Sequence, residues 1–303
     1  MNSTHCTDEP SCWPALPLAS WQETYATLHM WTQIIGKIRM SLTPLVNHWW
    51  NVPLYVTSRG LTTTCIPYGE RAFELWFDFL GHKLMLETND GAVKSVPLEA
   101  KCVAEFYAQC MAMLKSVDIS PKIWPVPVEI PNPIRFEKDQ AHCSYDPESV
   151  STFWRILLSI DAVLQIFRAR FIGKSSPVHF FWGSFDLAVT RFSGRKAPER
   201  PGADSITREA YSHEASSVGF WPGGGGISGP AFYSYMAPEP QGYRDSRVLP
   251  PNSRYDTSLN EFILMYEDVR TAASPSSALL DFCQSTYEGG ANLAGWDRPS
   301  LER

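Results

Sequence analysis

The seven cysteines of this 303-residue chain include no CxxC pair, and their odd number fits no complete disulfide framework. Cys102, Cys110 and Cys283 fall on apolar helix faces, so the sequence reads as the reduced thiols of a cytoplasmic protein. No run approaches the roughly 20 apolar residues of a membrane span. The opening MNSTHCTDEPSCWPALP has neither the basic nor the apolar region of a signal peptide. A net charge of −6 argues against nucleic acid or an anionic membrane as partner. The nucleotide-binding signatures are incomplete. Gly173-Lys174-Ser175 resembles the tail of a P-loop, but Arg168 stands where that loop needs glycine, and the strand and helix come in the wrong order. The glycine-rich 220–230 stretch lacks the GxGxxG context and reads as a mobile loop or lid. His213-Glu214 would begin an HExxH zinc motif, but position 217 is serine. His142 and Cys143 are adjacent on an extended chain and point apart, so they form no nucleophilic dyad.

What the chain does have is 44% apolar residues, eleven Trp and twelve Tyr, which support a large core and can line a pocket. Its charge is uneven. Residues 168–208 carry eight basic side chains against three acidic ones, a local +5 on an otherwise acidic protein. Such a patch suits a small anionic ligand, or is simply a solvated surface.

Read in order, residues 1–19 are a polar arm. A helix follows, with a Ser20–Glu23 capping box and a stripe from Trp21 to Leu42. About five antiparallel strands come next, with a hairpin at Asn89-Asp90-Gly91, then a helix over 99–116. The proline-rich 120–147 connector separates a first half, 20–130, from a second, 131–303. Asp146 and Pro147 open a long helix. Strands are predicted at 178–182 and 185–192, a short helix at 207–216, strands at 231–236 and 261–266, and a last helix from 275. The fold class is α+β, with antiparallel sheets flanked by long helices. Two local identities hint at a duplicated helix–meander–helix unit: His48-Trp49-Trp50 before Leu54-x-Val56-Thr57, and His179-Phe180-Phe181 before Leu187-x-Val189-Thr190. Coincidence between two aromatic strands is the alternative.

The candidate chemistry lies in 173–222. On a helix, Glu209 would orient His213 for acid–base work. His213 or His179 would move protons, with Glu214 or Asp186 as orienter. On strand 185–192, Arg191 shares the apolar face, where it needs a partner or an anion. Arg191 and Lys174 would clamp an anionic substrate among Trp182, Tyr211, Trp49 and Trp221. A metal site on His48, His179 and His213, and non-catalytic ligand binding, are the alternatives. A third is a protein-interaction scaffold presenting the 193–260 loops. No cofactor is assigned.

The stretches WPALPLASW, NHWW, VPLYVT, WPVPVE, SYDPE, SPVHFFWGSFDLAVTRFSGR, TREAYSHE, GFWPGGGG and AGWDR resemble a widespread bacterial family of uncharacterised proteins. The resemblance covers Trp13 to Arg298 and implies a bacterial cytosolic protein, without an activity or catalytic residues to transfer.

Overall fold

The computed structural model describes residues 12–303 apart from Gly225. Residues 1–11 of the arm, with Cys6, lie outside that range, while Trp13 and Leu16 already pack into the core. Helix α1 (Leu18–Leu42) starts after Pro17, so the Ser20–Glu23 capping box does not form. Ser20 sits inside the first turn, and its hydroxyl donates back to the Pro17 carbonyl at 2.7 Å. Every residue of α1 from 27 to 39 is buried, where the sequence stripe implied one dry face. The polar members are tolerated because they are partnered. Gln33 exchanges hydrogen bonds with both the N–H and the carbonyl of Val128, and Arg39 Nε donates to the Asn51 carbonyl at 2.7 Å.

The first sheet holds β1 (Tyr55–Thr57), β2 (Gly60–Thr62), β3 (Ile66–Tyr68), β4 (Arg71–Asp78), β5 (Lys83–Thr88) and β6 (Val93–Pro97). Its order is β1-β2-β4-β5-β6, with β3 paired to β4, and all pairings are antiparallel. Phe73, Leu75 and Phe77 face the core, as their alternation requires. Helix α2 (Val103–Lys115) follows, and Cys102 at its N-cap is bonded to Cys143. The reading of Cys102 as a buried thiol is thereby corrected: the connector returns to α2, where Val103 N donates to the His142 carbonyl at 3.0 Å. Cys110 and Cys283 are buried thiols.

Helix α3 (Pro147–Ala169) is capped by Asp146, whose carboxylate accepts from the Ser149 N–H at 3.0 Å. By length and hydropathy α3 alone among the described helices could cross a membrane, a property missed in the search for one unbroken apolar run. Half of that stretch is buried inside the protein.

The second sheet contains β7 (His179–Phe181), β8 (Asp186–Lys196), β9 (His213–Trp221), β10 (Ala231–Ala237), β11 (Arg254–Asp256) and β12 (Glu261–Met265). Its order is β11-β12-β10-β9-β8-β7, again antiparallel throughout. Helix α4 (Ser205–Ala210) lies between β8 and β9, and α5 (Tyr266–Arg270), α6 (Pro275–Leu293) and α7 (Arg298–Leu301) close the chain. The helix expected over 207–216 therefore ends early. Pairing with β8 and β10 converts His213 onward into strand, a non-local preference that overrides helical spacing. The two sheets meet where Leu54 and Phe180 exchange both backbone hydrogen bonds at 2.9 Å. One core cluster, with α1 and α3 running through it, takes side chains from both sheets.

The strand period gives the second sheet two distinct faces. Leu187, Val189, Val218, Phe220, Phe232 and Leu264 enter the main core. Ala188, Tyr233 and Ile263, on the other face, form a separate small cluster with Ile227 of the glycine-rich loop.

Candidate functional site

That second face carries a continuous run of polar side chains. Register places Thr190 opposite Ser217 and Ser217 opposite Tyr235. The Thr190 and Ser217 hydroxyls are 3.0 Å apart, and those of Tyr235 and Tyr211 2.9 Å apart. The run ends in a basic corner on one side and an acidic patch on the other.

The basic corner is assembled from three segments. A tight turn over 47–49 places His48 and Trp49 in the left-handed region, at φ 59° and 60°. This conformation is unusual for side chains with a Cβ and fixes where His48 points. His48 Nδ1 is 3.0 Å from the carbonyl of Ala210 at the end of α4. A carbonyl only accepts, so Nδ1 carries the proton and Nε2 is left with its lone pair. Lys174 Nζ lies 2.7 Å from that Nε2 and donates to it. The linker bearing Lys174 is held alongside β8, with the Phe192 N–H donating to the Lys174 carbonyl at 2.9 Å. Lys174 Nζ also stands over the rings of Trp50 and Phe192, at 5.3 and 5.2 Å. His213, the first residue of β9, brings its ring to 5.6 Å from that of His48. Burial lowers the pKa of His48, and the neighbouring Lys174 and His213 lower it further. Burial likewise lowers that of Lys174. No carboxylate offsets either shift.

The acidic patch centres on Asp186, which is 4% exposed. Its two oxygens accept from the hydroxyls of Ser184 and Tyr233. Burial, then the charge of Glu129, raises its pKa to about 6. Glu261 on β12 is raised to about 7, by burial and then by Asp186 and Asp256. One Glu261 oxygen, Oε2, is buried without a hydrogen-bond partner. The Trp221 ring lies tilted against that of Tyr233, 4.5 Å away, and walls this end. Gly219 makes the arrangement possible, because a Cβ there would collide with the Tyr233 ring lying across it.

The sequence candidates thus separate. His179, Asp186, His213, Tyr211 and Trp221 come to this face or its edge, and Lys174 joins them. Trp50 rather than Trp49 supplies the indole beside Lys174. Trp49 is part-buried, with its Nε1 unpartnered and no ring contact. Glu214 points away from His213, as successive strand residues must. It binds Arg195, whose Nη2 is 2.7 Å distant, and so orients neither imidazole. Glu209 does not reach His213 either; its carbonyl accepts from Ser212 Oγ, and that hydroxyl lies 3.0 Å from His213 Nδ1. Arg191 is on the apolar face as expected, but far from serving as a clamp it is wholly buried. Its guanidinium stacks on Phe167 and Tyr287 at 3.5 and 4.4 Å, and Nη2 donates to the Phe167 carbonyl. Trp182 is a packing residue. It covers Gly36 of α1, and its Nε1 donates to the Val52 carbonyl at 2.8 Å. Among the described residues no three His, Cys, Asp or Glu side chains group as metal ligands; Trp50 stands between His48 and His179, at 5.3 and 5.8 Å from their rings.

Trp50, Ser184, Tyr233 and Glu261 escaped the sequence reading. Strict alternation in the AFYSYMA segment was the available sign for Tyr233, since it puts both tyrosines of β10 on one face.

The fold and the face together define an α+β protein of two antiparallel sheets, one of which presents a polar face with a basic and an acidic pole. The chain belongs to the Family of unknown function (DUF5996), whose model matches residues 13–303. No curated protein and no solved structure matches it.

Proposed function

We propose that the protein is an enzyme acting on a small organic anion, held at the basic corner and turned over by acid–base chemistry. The observation that carries this reading is the fixed tautomer of His48, whose bare Nε2 faces Lys174 Nζ at 2.7 Å. The ammonium keeps two further N–H bonds for an incoming anion, and among the described residues no carboxylate is paired with it. Trp50 and Phe192 offer apolar walls for the organic part. The His213 ring, 5.6 Å from that of His48, stands beside that position as the group that would exchange a proton with the bound anion. Farther along the face Asp186 and Glu261 have pKa values of about 6 and about 7, suited to giving and taking protons.

Calorimetric titration with acetate, benzoate and inorganic phosphate tests the reading. At least one should bind, and K174Q should weaken it roughly tenfold or more, the loss of one charge-assisted hydrogen bond. Unchanged affinity in K174Q, or no binding by any of the three, refutes it. Binding without turnover is favoured by one observation, that Glu214 is engaged by Arg195 and no carboxylate orients His213. The two readings part at H213Q, which abolishes turnover of the bound anion in the first and changes only affinity in the second.

A further inference from the structure

We infer that the anion site continues inward from Lys174 to His179, and that its ligand carries two acidic groups, one for each end. This rests on the reading of the Lys174 corner as an anion site. His179 is 0% exposed, yet neither ring nitrogen has a hydrogen-bond partner. Buried imidazoles are nearly always partnered, so one with both nitrogens bare calls for a partner from outside the chain. The rings of Tyr55, Trp50 and Phe181 surround it at 5.5, 5.8 and 5.4 Å.

The field at this position is positive. After burial, the influences that hold His179 neutral are Arg39 and Arg168. Arg39 Nε and Arg168 Nε each donate to a backbone carbonyl at 2.7 Å, from Asn51 and Ser176. Neither arginine has a carboxylate partner among the described residues. A neutral imidazole N–H inside an unneutralised cationic field is a donor for an anionic oxygen. A bare lone pair facing two guanidinium groups attracts no second cation.

Trp50 joins the two ends. Its ring centroid lies 5.8 Å from that of His179 and 5.3 Å from that of His48, and Lys174 Nζ stands 5.3 Å from it. It is only partly buried, so it lies between solvent and the enclosed imidazole. A molecule lying along the indole would give one acidic group to Lys174 and the other to His179. A monoanion would satisfy one end and leave the other as it is.

The test compares malonate, succinate and glutarate with their monomethyl esters by calorimetry on the full chain. One dicarboxylate should bind at least tenfold tighter than its ester, and H179F should erase that advantage. The His179 ring ¹⁵N signals should move with the dicarboxylate and not with the ester, a measurement that needs no variant. Equal affinities for diacid and ester in the wild-type protein, or still ring signals, overturn the inference. Esters that then still bind in a Lys174-dependent way leave the outer site standing, whereas absence of all anion binding removes both.

Discussion

Replacing Asp186 by asparagine should change how the protein's stability depends on pH. The carboxyl group is buried, and its pKa is raised from 3.8 to about 6. The folded state therefore keeps the proton to higher pH than the unfolded chain does. The stabilisation is fully present below about pH 4 and is lost as pH rises through 6. A change of that size corresponds to about 3 kcal/mol across the window, an upper figure because Glu261 titrates against the same charge. Asparagine preserves the shape. Its carbonyl can accept from one hydroxyl, Ser184 or Tyr233, and its amide can donate to the other. Urea unfolding at half-unit steps from pH 4 to pH 7 measures the effect. The stability of D186N relative to wild type should climb with pH by up to about 3 kcal/mol, and flatten above pH 7. Two curves that stay parallel across the window would show that the carboxyl is not held protonated by its surroundings, and would remove it as a proton donor near neutrality.

Arg191 and the disulfide give two further expectations. R191M should cost less than about 1.5 kcal/mol, because methionine fills the aromatic cage and removes two unpartnered guanidinium nitrogens, Nε and Nη1. R191A should cost about 3–5 kcal/mol through the cavity it opens, and equal losses in denaturant midpoints would refute the packing role. Reducing Cys102–Cys143, which closes a loop of 41 residues in sequence separation, should lower stability by about 4 kcal/mol. Thermal unfolding with and without dithiothreitol, set against C102S/C143S, checks this; an unshifted transition contradicts it.

Much of the architecture could be read from local pattern. Alternation on β8 placed Arg191 among apolar side chains and Asp186 on the opposite face, and both stand there. Asp146 before Pro147 announced α3 because a cap is a short-range device. What escaped depended on partners far away in sequence. The spacing of Glu209 and His213 is helical, but β8 claims His213, which pairs with Lys196. Glu214 is engaged by Arg195, nineteen positions earlier, across a bulged strand pair. Lys174 was expected beside Trp182, yet its actual neighbour is His48, 126 positions away, because a left-handed turn aims that imidazole back across the sheet junction. The Cys102–Cys143 bond likewise needs the fold of the connector, which no spacing rule supplies.

The exchange between Leu54 and Phe180 also bears on which strand margins the chain leaves open. An unpaired strand margin is a template for self-association. By docking one margin of each sheet against the other, the molecule reduces the number it must defend. Of the margins that remain, β6 and β11 both carry deterrents: Lys94 and Pro97 on one, Arg254 and Asp256 on the other. Severing the Leu54–Phe180 contact would free two more margins, and those have no such guards.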